Sequence, residues 1–171
     1  MEIFLDTANI EEIRQGARLG VVSGVTTNPS LMAKEGTADY EAVVKEICTI
    51  IPGPVSAEVV AEGVPAMIEE ARKIAAWAPN VVIKIPATAE GLEVTSALAK
   101  EKIKVNFTLC FSLNQALLGA LAGATFVSPF VGRLDDAGHD GMELVEDIVD
   151  TFGFYQLPTK VIAASIRHPQ H

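Results

Sequence analysis

The stretch LDTANIEE, residues 5–12, decides between the two folds that the rest of the sequence allows. It joins the first strand-like run, residues 3–6, to the first amphipathic helical pattern. An open nucleotide-binding sheet usually carries a glycine-rich turn at this point, because its backbone must approach a phosphate. This turn contains no glycine. The sequence therefore favours a closed barrel of parallel strands over an open sheet.

Short β-rich runs alternate with amphipathic helical patterns along the chain, and alternating βα units form parallel sheets. We expect a single domain over residues 1–171, with its alternating strands and helices arranged as a barrel. Glycines at positions 20, 53 and 123 are expected to follow helix ends, and Ser112 to cap a helix start. The helical patterns begin near Ile10, Val43, Val64, Leu113 and Met142. The predicted strands are residues 3–6, 24–26, 55–59, 81–85, 105–109, 126–130 and 161–165.

Composition and charge exclude several classes of protein. Hydrophobic residues make up 49% of the chain, which suits one compact domain. No apolar run reaches the ~18 residues of a membrane span, and the N-terminus does not resemble a signal peptide. Cys48 and Cys110 lie in apolar patterns and are expected to be buried free thiols of a cytoplasmic protein. The net charge of −9, without a basic patch, argues against nucleic acid but allows an anionic substrate. No histidine or cysteine cluster has metal-ligand spacing, so neither a metal nor a cofactor is expected.

Lys84 interrupts the most apolar strand pattern, VVIKIP. Removing an ammonium from water is costly unless its charge is paired or lost. Strand side chains alternate between two faces. If the apolar side chains pack against helices, the other face of the sheet receives a set of mostly polar groups near the strands' carboxyl ends. That set is Asp6, Thr26, Asn28, Glu58, Lys84, Asn106, Thr108, Ser128, Phe130, Ser165 and Arg167. In barrel enzymes this end of the strands carries the active site.

Two chemistries fit a lysine in this position. Apolar surroundings favour the neutral amine, which attacks carbonyls and forms Schiff bases with help from groups such as Asp6, Glu58 and Thr108. The alternative is a structural ion pair of Lys84 with Glu58 or Asp6. The convergence of so many polar groups favours catalysis.

Two arginines just past strand ends suggest an anion site. Arg133 and Arg167, with Ser165, could hold a phosphate or carboxylate, because guanidinium groups bind such anions in a bidentate manner. The alternative is an ordinary surface ion pair with Asp135 or Asp136.

Seven motifs, in order along nearly the whole chain, resemble the small transaldolase and fructose-6-phosphate aldolase family of class I aldolases. They are FLDTAN, GVTTNPSL, SAEVV, VVIKIPAT, VNFTLCFS, SPFVGRLDD and AASIRH. The resemblance implies a (β/α)8 barrel, sugar phosphate substrates and a homo-oligomer, either a pentamer or a decamer. It implies that Lys84 is the Schiff-base nucleophile, Asp6 the acid/base, and Glu58 and Thr108 the holders of a catalytic water.

The resemblance also assigns substrate contacts. Asn28, Asn106 and Ser128 would line the donor site, and Arg133, Ser165 and Arg167 would bind the phosphate. Glu58 and Phe130 resemble the transaldolase type, since the fructose-6-phosphate aldolase type carries glutamine and tyrosine there. A transaldolase of the pentose phosphate pathway is therefore expected. An aldolase releasing free dihydroxyacetone and a non-catalytic sugar-phosphate-binding barrel are the alternatives.

The pattern supplies only seven strands by His171. A (β/α)8 barrel typically has at least ~200 residues. We therefore expect the last βα unit to be missing from this chain and the natural protein to be longer.

Overall fold

The computed structural model describes residues 1–36 and 39–171, which form two compact units, Met1–Lys84 and Ile85–His171. In the first unit the strands are β1 (Ile3–Asp6), β2 (Val22–Thr26), β3 (Val55–Glu58) and β4 (Val81–Pro86), whose last two residues belong to the second unit. Each strand of this unit pairs in parallel with the next one along the chain. The helices between them are α1 (Ile10–Arg18), α2 (Pro29–Lys34), α3 (Tyr40–Ile50) and α4 (Val64–Ala75).

The second unit repeats the same alternation. Its strands β5 (Val105–Cys110), β6 (Phe126–Pro129) and β7 (Lys160–Val161) pair in parallel and in chain order. Its helices are α5 (Ala89–Lys100), α6 (Leu113–Leu121), α7 (Val131–Asp136) and α8 (Gly141–Phe154). The expected α/β fold with parallel strands is therefore confirmed, whereas the closed barrel and the single domain stay predictions.

The apolar faces of the strands form the core, as the alternation predicts. Val25, Val55, Ala57, Ile83 and Val127 are all 0% exposed. Leu5 lies against the helix side as well, since a side chain at Gly16 of α1 would meet its Cδ1 atom.

The seventh strand differs from the prediction in its length and in its faces. Its ladder covers only Lys160–Val161, followed by an isolated bridge between Phe130 and Ala164. Val161 pairs with the helix-facing Val127, which places Ile162 and Ala164 on the other face. The predicted phase, with Ser165 and Arg167 inward and Ile162 and Ile166 against helices, is therefore wrong. The alternation ends at Ser165, whose φ of +59° breaks the extended backbone, and Ile166 is exposed.

Three helices, α2, α5 and α7, were not predicted from the sequence. The longest of them, α5, buries Gly91, Val94, Thr95 and Leu98 at helical spacing. Two of these four are not apolar side chains, so the amphipathic pattern is weak. Both α2 and α7 have only six residues, which is too short for a helical period to stand out.

The predicted helix punctuation is correct at three positions and wrong at one. Gly20 and Gly123 adopt the positive φ expected just past a helix end. The Ser112 hydroxyl accepts a hydrogen bond from the Gln115 N–H at 3.3 Å, as an N-cap should. Gly53 does not cap a helix. A Cβ atom there would lie 1.8 Å from the Ser23 carbonyl oxygen, so this position needs glycine for a close backbone approach.

We expect Gly53→Ala to lower the free energy of unfolding by ~2–4 kcal/mol, because the backbone must shift to relieve the clash with Ser23. Urea denaturation followed by circular dichroism measures this change. Gly153→Ala is the matched control, since Gly153 lies in α8 with no atom within 4 Å of an added Cβ. There alanine should raise the stability by ~0.5–1 kcal/mol. Equal effects at the two positions would contradict the close-approach explanation.

Candidate active site

The register of β1 to β4 places four predicted site residues on one face. Asp6 pairs with Thr26, and Glu58 pairs with Lys84. Thr26 also pairs with Ser56, which precedes Glu58 by two residues. Paired residues of neighbouring parallel strands share a face, and so do residues two apart in one strand. The parity expected for β1 to β4 is therefore confirmed.

Lys84 is buried and is held by groups of its own unit. Only 7% of the residue is exposed. Its Nζ atom donates to Glu58 Oε2 at 3.0 Å and to the Thr27 carbonyl oxygen at 3.4 Å. The Glu58 side chain is 31% exposed, so the carboxylate reaches from solvent to the buried amine. Glu58 supplies the partner that a buried ammonium requires.

This pair can perform proton transfer. Lys84 becomes a nucleophile only when its amine has lost a proton, and the Glu58 carboxylate is within hydrogen-bond distance to accept it. The ion pair that the sequence left as an alternative to catalysis is therefore present in the structure. Its geometry suits both roles, because the same contact that stabilises the ammonium can carry the proton away.

Asp6 is engaged by a different partner. Its Oδ1 accepts a hydrogen bond from the Thr26 hydroxyl at 2.8 Å, and Asp6 is exposed at the end of β1. The short bond orients the carboxylate without neutralising its charge. An exposed, oriented carboxylate can exchange a proton with a bound hydroxyl group.

Asn28 has a structural partner as well as a predicted binding role. It is the N-cap of α2, where its Oδ1 accepts from the Leu31 N–H at 2.9 Å. The capping bond fixes the direction of the side chain, and its amide Nδ2 atom remains the group that could donate to a ligand.

Three further predicted residues share one face of β5 and β6. Thr108 pairs with Ser128, and Asn106 lies two residues before Thr108. All three are buried, and the Ser128 hydroxyl donates to Asn106 Oδ1 at 2.7 Å. Among the residues that the structure describes, nothing pairs with the buried Thr108 hydroxyl. A buried hydroxyl in that state is a candidate ligand or water contact.

A strained residue follows Thr108 directly. Leu109 has a φ of +61° and forms a bulge in the register between β5 and β6. Bulges of this kind occur beside active sites, where they redirect a strand end. The half-buried Phe130 directly follows β6 as the N-cap residue of α7, with its ring centroid 5.9 Å from that of Phe111.

The two predicted anion-binding arginines differ in their partners. Arg167 makes a bidentate ion pair with Asp136, at 2.5 and 2.7 Å, so the surface pairing considered above is present for Arg167. This hydrogen-bonded guanidinium lowers the pKa of the exposed Asp136 carboxyl. Arg133 is exposed on α7, and no ion pair to it occurs within the described part of the chain. The Ser165 carbonyl oxygen accepts a hydrogen bond from the Gly132 N–H.

Two residues that bind the Lys84–Glu58 ion pair, Thr27 and Tyr40, were not identified from the sequence. The Tyr40 hydroxyl accepts the Glu58 N–H at 2.8 Å and lies 3.0 Å from Thr27 Oγ1. One signal was available. Thr27 directly follows the predicted second strand, and if the alternation continued it would face the helices, where a polar side chain needs a buried partner.

Neither thiol resembles a reactive cysteine. Both are free thiols, and Cys110 is buried as predicted. Cys48 is only half-buried, so the prediction that it is buried is wrong. Burial raises the pKa of the Cys48 thiol to about 11 and that of the Cys110 thiol to about 12. Within residues 1–36 and 39–171, no group of three His, Cys, Asp or Glu side chains could hold a metal ion. Of the helices that the structure describes, none combines the length and apolar character needed to cross a bilayer.

Fold and site together describe an α/β protein with a buried lysine paired to a carboxylate at the end of a parallel sheet. Residues 3–171 match the family model described as Transaldolase/Fructose-6-phosphate aldolase. The chain belongs to this family.

Curated relatives share most of their length with the chain. A probable transaldolase of Dehalococcoides mccartyi is 69% identical over 172 residues, covering 100% of this chain and 80% of the relative. A probable transaldolase of Desulforudis audaxviator is 64% identical, with 100% and 79% covered. These names support an enzyme of the transaldolase and aldolase group. A solved structure, thiamine phosphate pyrophosphorylase from Pyrococcus furiosus, shares the fold with a TM-score of 0.66 at 13% identity, covering 98% of this chain and 76% of that one.

Proposed function

We propose that the chain is a transaldolase, which transfers a dihydroxyacetone unit between sugar phosphates through a Schiff base on Lys84. The observation that carries the proposal is the buried Lys84 amine, 3.0 Å from the Glu58 carboxylate. The proposed reaction converts sedoheptulose 7-phosphate and glyceraldehyde 3-phosphate into erythrose 4-phosphate and fructose 6-phosphate. It belongs to the pentose phosphate pathway. A cytoplasmic location and a homo-oligomer, pentamer or decamer, stay predictions.

The first step forms the Schiff base. Glu58 accepts a proton from Lys84, and the neutral amine attacks the C2 carbonyl of the ketose phosphate. The carbinolamine then loses its hydroxyl as water, with Glu58 and a water held by Thr108 returning the proton. The unpaired Thr108 hydroxyl supports this role.

The second step breaks the C3–C4 bond. Asp6 takes the proton of the C4 hydroxyl, the bond electrons pass into the protonated Schiff base, and an aldose phosphate leaves. Thr26 orients Asp6 through its 2.8 Å hydrogen bond. The three-carbon enamine on Lys84 then attacks the aldehyde of a second aldose phosphate, and the first steps run in reverse to release the new ketose phosphate.

Substrate hydroxyls need polar partners, and the remaining predicted residues supply them. We assign Asn28, Asn106 and Ser128 to the hydroxyls of the three-carbon unit. Phe130 contributes an apolar wall in place of a phenol. The phosphate is assigned to Arg133, Ser165 and Arg167. Because Asp136 already holds Arg167, Arg133 is the arginine with its charge more fully available.

We expect Arg133→Ala to raise the KM for phosphorylated acceptors by ~10- to 100-fold, the range of a lost hydrogen bond to a charged group. Steady-state kinetics with glyceraldehyde 3-phosphate and with unphosphorylated glyceraldehyde measure the effect. Arg18→Ala is the matched control, since Arg18 is an exposed arginine on α1 of the other unit. An equal loss with both acceptors in Arg133→Ala would contradict the phosphate role.

Borohydride trapping tests the proposed function. Reduction in the presence of fructose 6-phosphate should leave a three-carbon adduct, which peptide mass spectrometry should locate on Lys84. If no adduct forms, both the transaldolase and the fructose-6-phosphate aldolase hypotheses are wrong. A non-catalytic sugar-phosphate-binding protein would then be favoured. A two-substrate assay then separates transaldolase from aldolase. Turnover that needs no acceptor and releases free dihydroxyacetone would replace transaldolase by fructose-6-phosphate aldolase.

A further inference from the structure

We propose that Tyr40 is a positioning residue whose hydroxyl binds the Thr27 side chain and the Glu58 backbone N–H, and so holds two residues that contact the Lys84 amine. The inference rests on the proposed function, because it concerns the rate at which Lys84 reacts. It assigns a role in turnover to a side chain that does not itself touch Lys84.

The Tyr40 hydroxyl accepts a hydrogen bond from a β3 backbone N–H next to the point where β2 ends. The Thr27 N–H donates to the Ser56 carbonyl oxygen at 3.0 Å, just past Thr26, where the register between β2 and β3 ends. Beyond it the chain turns into α2 at Pro29, so the Glu58 N–H meets no strand carbonyl on that side. The Tyr40 hydroxyl accepts this N–H at 2.8 Å instead.

The same hydroxyl also holds Thr27, and the direction of the bonds follows from counting protons. Thr27 Oγ1 has one proton, which it donates to the Ser56 carbonyl oxygen at 2.8 Å. The 3.0 Å contact between the two hydroxyls is therefore donated by Tyr40. Tyr40 thus accepts from Glu58 and donates to Thr27 at the same time.

In the part of the chain that the structure describes, Thr27 and Glu58 bind the Lys84 amine. The Thr27 carbonyl oxygen and Glu58 Oε2 accept from Lys84 Nζ at 3.4 and 3.0 Å. One phenolic oxygen therefore joins the Thr27 side chain to the Glu58 backbone N–H.

The position of Tyr40 is well defined by its surroundings. It is the first residue of α3, whose N-cap Asp39 accepts the Ala42 N–H at 2.9 Å. The ring packs edge-on against Trp77, with centroids 5.5 Å apart. Burial raises the pKa of the Tyr40 phenol above its usual value. The hydrogen bonds with Thr27 and Glu58 lower this pKa by less, and the charges of Glu58 and Glu70 raise it. The hydroxyl therefore keeps the proton that it donates to Thr27 throughout the neutral pH range.

Removal of this hydroxyl leaves the Glu58 N–H and Thr27 Oγ1 without their shared partner. The two acceptors of Lys84 then lose their fixed spacing, and small displacements of a reacting group reduce rates strongly. We expect Tyr40→Phe to lower kcat and the initial rate of borohydride trapping at Lys84 by ~10- to 100-fold. The KM for fructose 6-phosphate should change less than about two-fold, because Tyr40 is not assigned to substrate binding.

The chain offers a matched control in its other tyrosine. Tyr155 is exposed and lies at the end of α8 in the second unit, so Tyr155→Phe should leave kcat unchanged. Assays are run well below the thermal midpoint of each variant, measured by circular dichroism. A merely structural role of Tyr40 would lower the midpoint while leaving kcat at that temperature unchanged.

A second pair of variants tests the same connection if Tyr40→Phe does not fold. Thr27→Val removes the hydroxyl that Tyr40 binds, whereas Thr27→Ser keeps it. We expect Thr27→Val to lower kcat in the same way and Thr27→Ser to retain it. Equal kcat values for these two variants would overturn the inference.

The outcomes separate this inference from the proposed function. If the unmodified chain forms no adduct, the proposed function is wrong, and the inference falls with it. If the unmodified chain forms the adduct and Tyr40→Phe forms it at the same rate, only the inference is wrong.

Discussion

Replacement of Lys84 by alanine is expected to abolish borohydride-dependent labelling and to lower kcat by ~10⁴-fold or more, as loss of a covalent nucleophile does. Among the described residues of β1 to β4, no other lysine shares this face, where the register places Asp6, Thr26, Ser56 and Glu58. Intact-protein mass spectrometry after reduction measures the labelling, and a coupled assay measures kcat.

Lys84→Arg is the control that separates charge from nucleophilicity. Arginine can keep an ion pair with Glu58, but its guanidinium does not deprotonate in proteins and forms no Schiff base. We expect it to be as inactive as Lys84→Ala. The alanine variant should also lose ~1–3 kcal/mol of stability, because Glu58 loses its charged partner. Substantial activity in Lys84→Arg would contradict the Schiff-base mechanism.

Asp6→Asn is expected to separate Schiff-base formation from bond cleavage. An amide cannot take the proton of the C4 hydroxyl, so kcat should fall by ~10²- to 10⁴-fold, the usual contribution of a general base. Lys84 and Glu58 remain intact and should still condense with fructose 6-phosphate. Reduction should therefore trap the whole six-carbon sugar phosphate on Lys84 rather than the three-carbon unit.

The mass of the labelled peptide distinguishes the outcomes, because a six-carbon sugar phosphate and a three-carbon unit add different masses to it. Thr26→Val serves as the companion variant. It removes only the hydroxyl that donates to Asp6 Oδ1, so cleavage should slow but the three-carbon adduct should still form. A three-carbon adduct formed by Asp6→Asn at the unmodified rate would show that another group takes the proton.

Much of the fold could be predicted because strand and helix signals agree along most of the chain. The first strand was predicted with its observed bounds, Ile3–Asp6, and the polar face of β1 to β4 followed from alternation alone. The prediction failed in segments whose apolar side chains show little helical or strand periodicity. Helix α5 buries a glycine and a threonine, and β7 makes only two ladder pairs before Ser165 leaves the extended conformation.

The charged side chains of the candidate site could be predicted from the sequence, but the residues that position them could not. Lys84 and Glu58 stand out because charged groups on a buried strand face are rare. Tyr40 acts through the backbone N–H of Glu58, and a main-chain hydrogen bond leaves no trace in the pattern of side chains. The pairing of Arg167 with Asp136 joins residues 31 positions apart, and neither Asp135 nor Asp136 could be preferred from the sequence.

The strand order described above has a consequence for how the chain folds during its synthesis. Every strand pair within a unit joins consecutive strands, so contacts close short loops. Asp6 and Thr26 are 20 positions apart, and Glu58 and Lys84 are 26 positions apart. Closing such loops costs little entropy and favours rapid folding. Each strand of the first unit can therefore dock on its predecessor as it leaves the ribosome. The hydrogen bonds of the Lys84 amine to Glu58 and Thr27 need no residue that is translated after Lys84 itself.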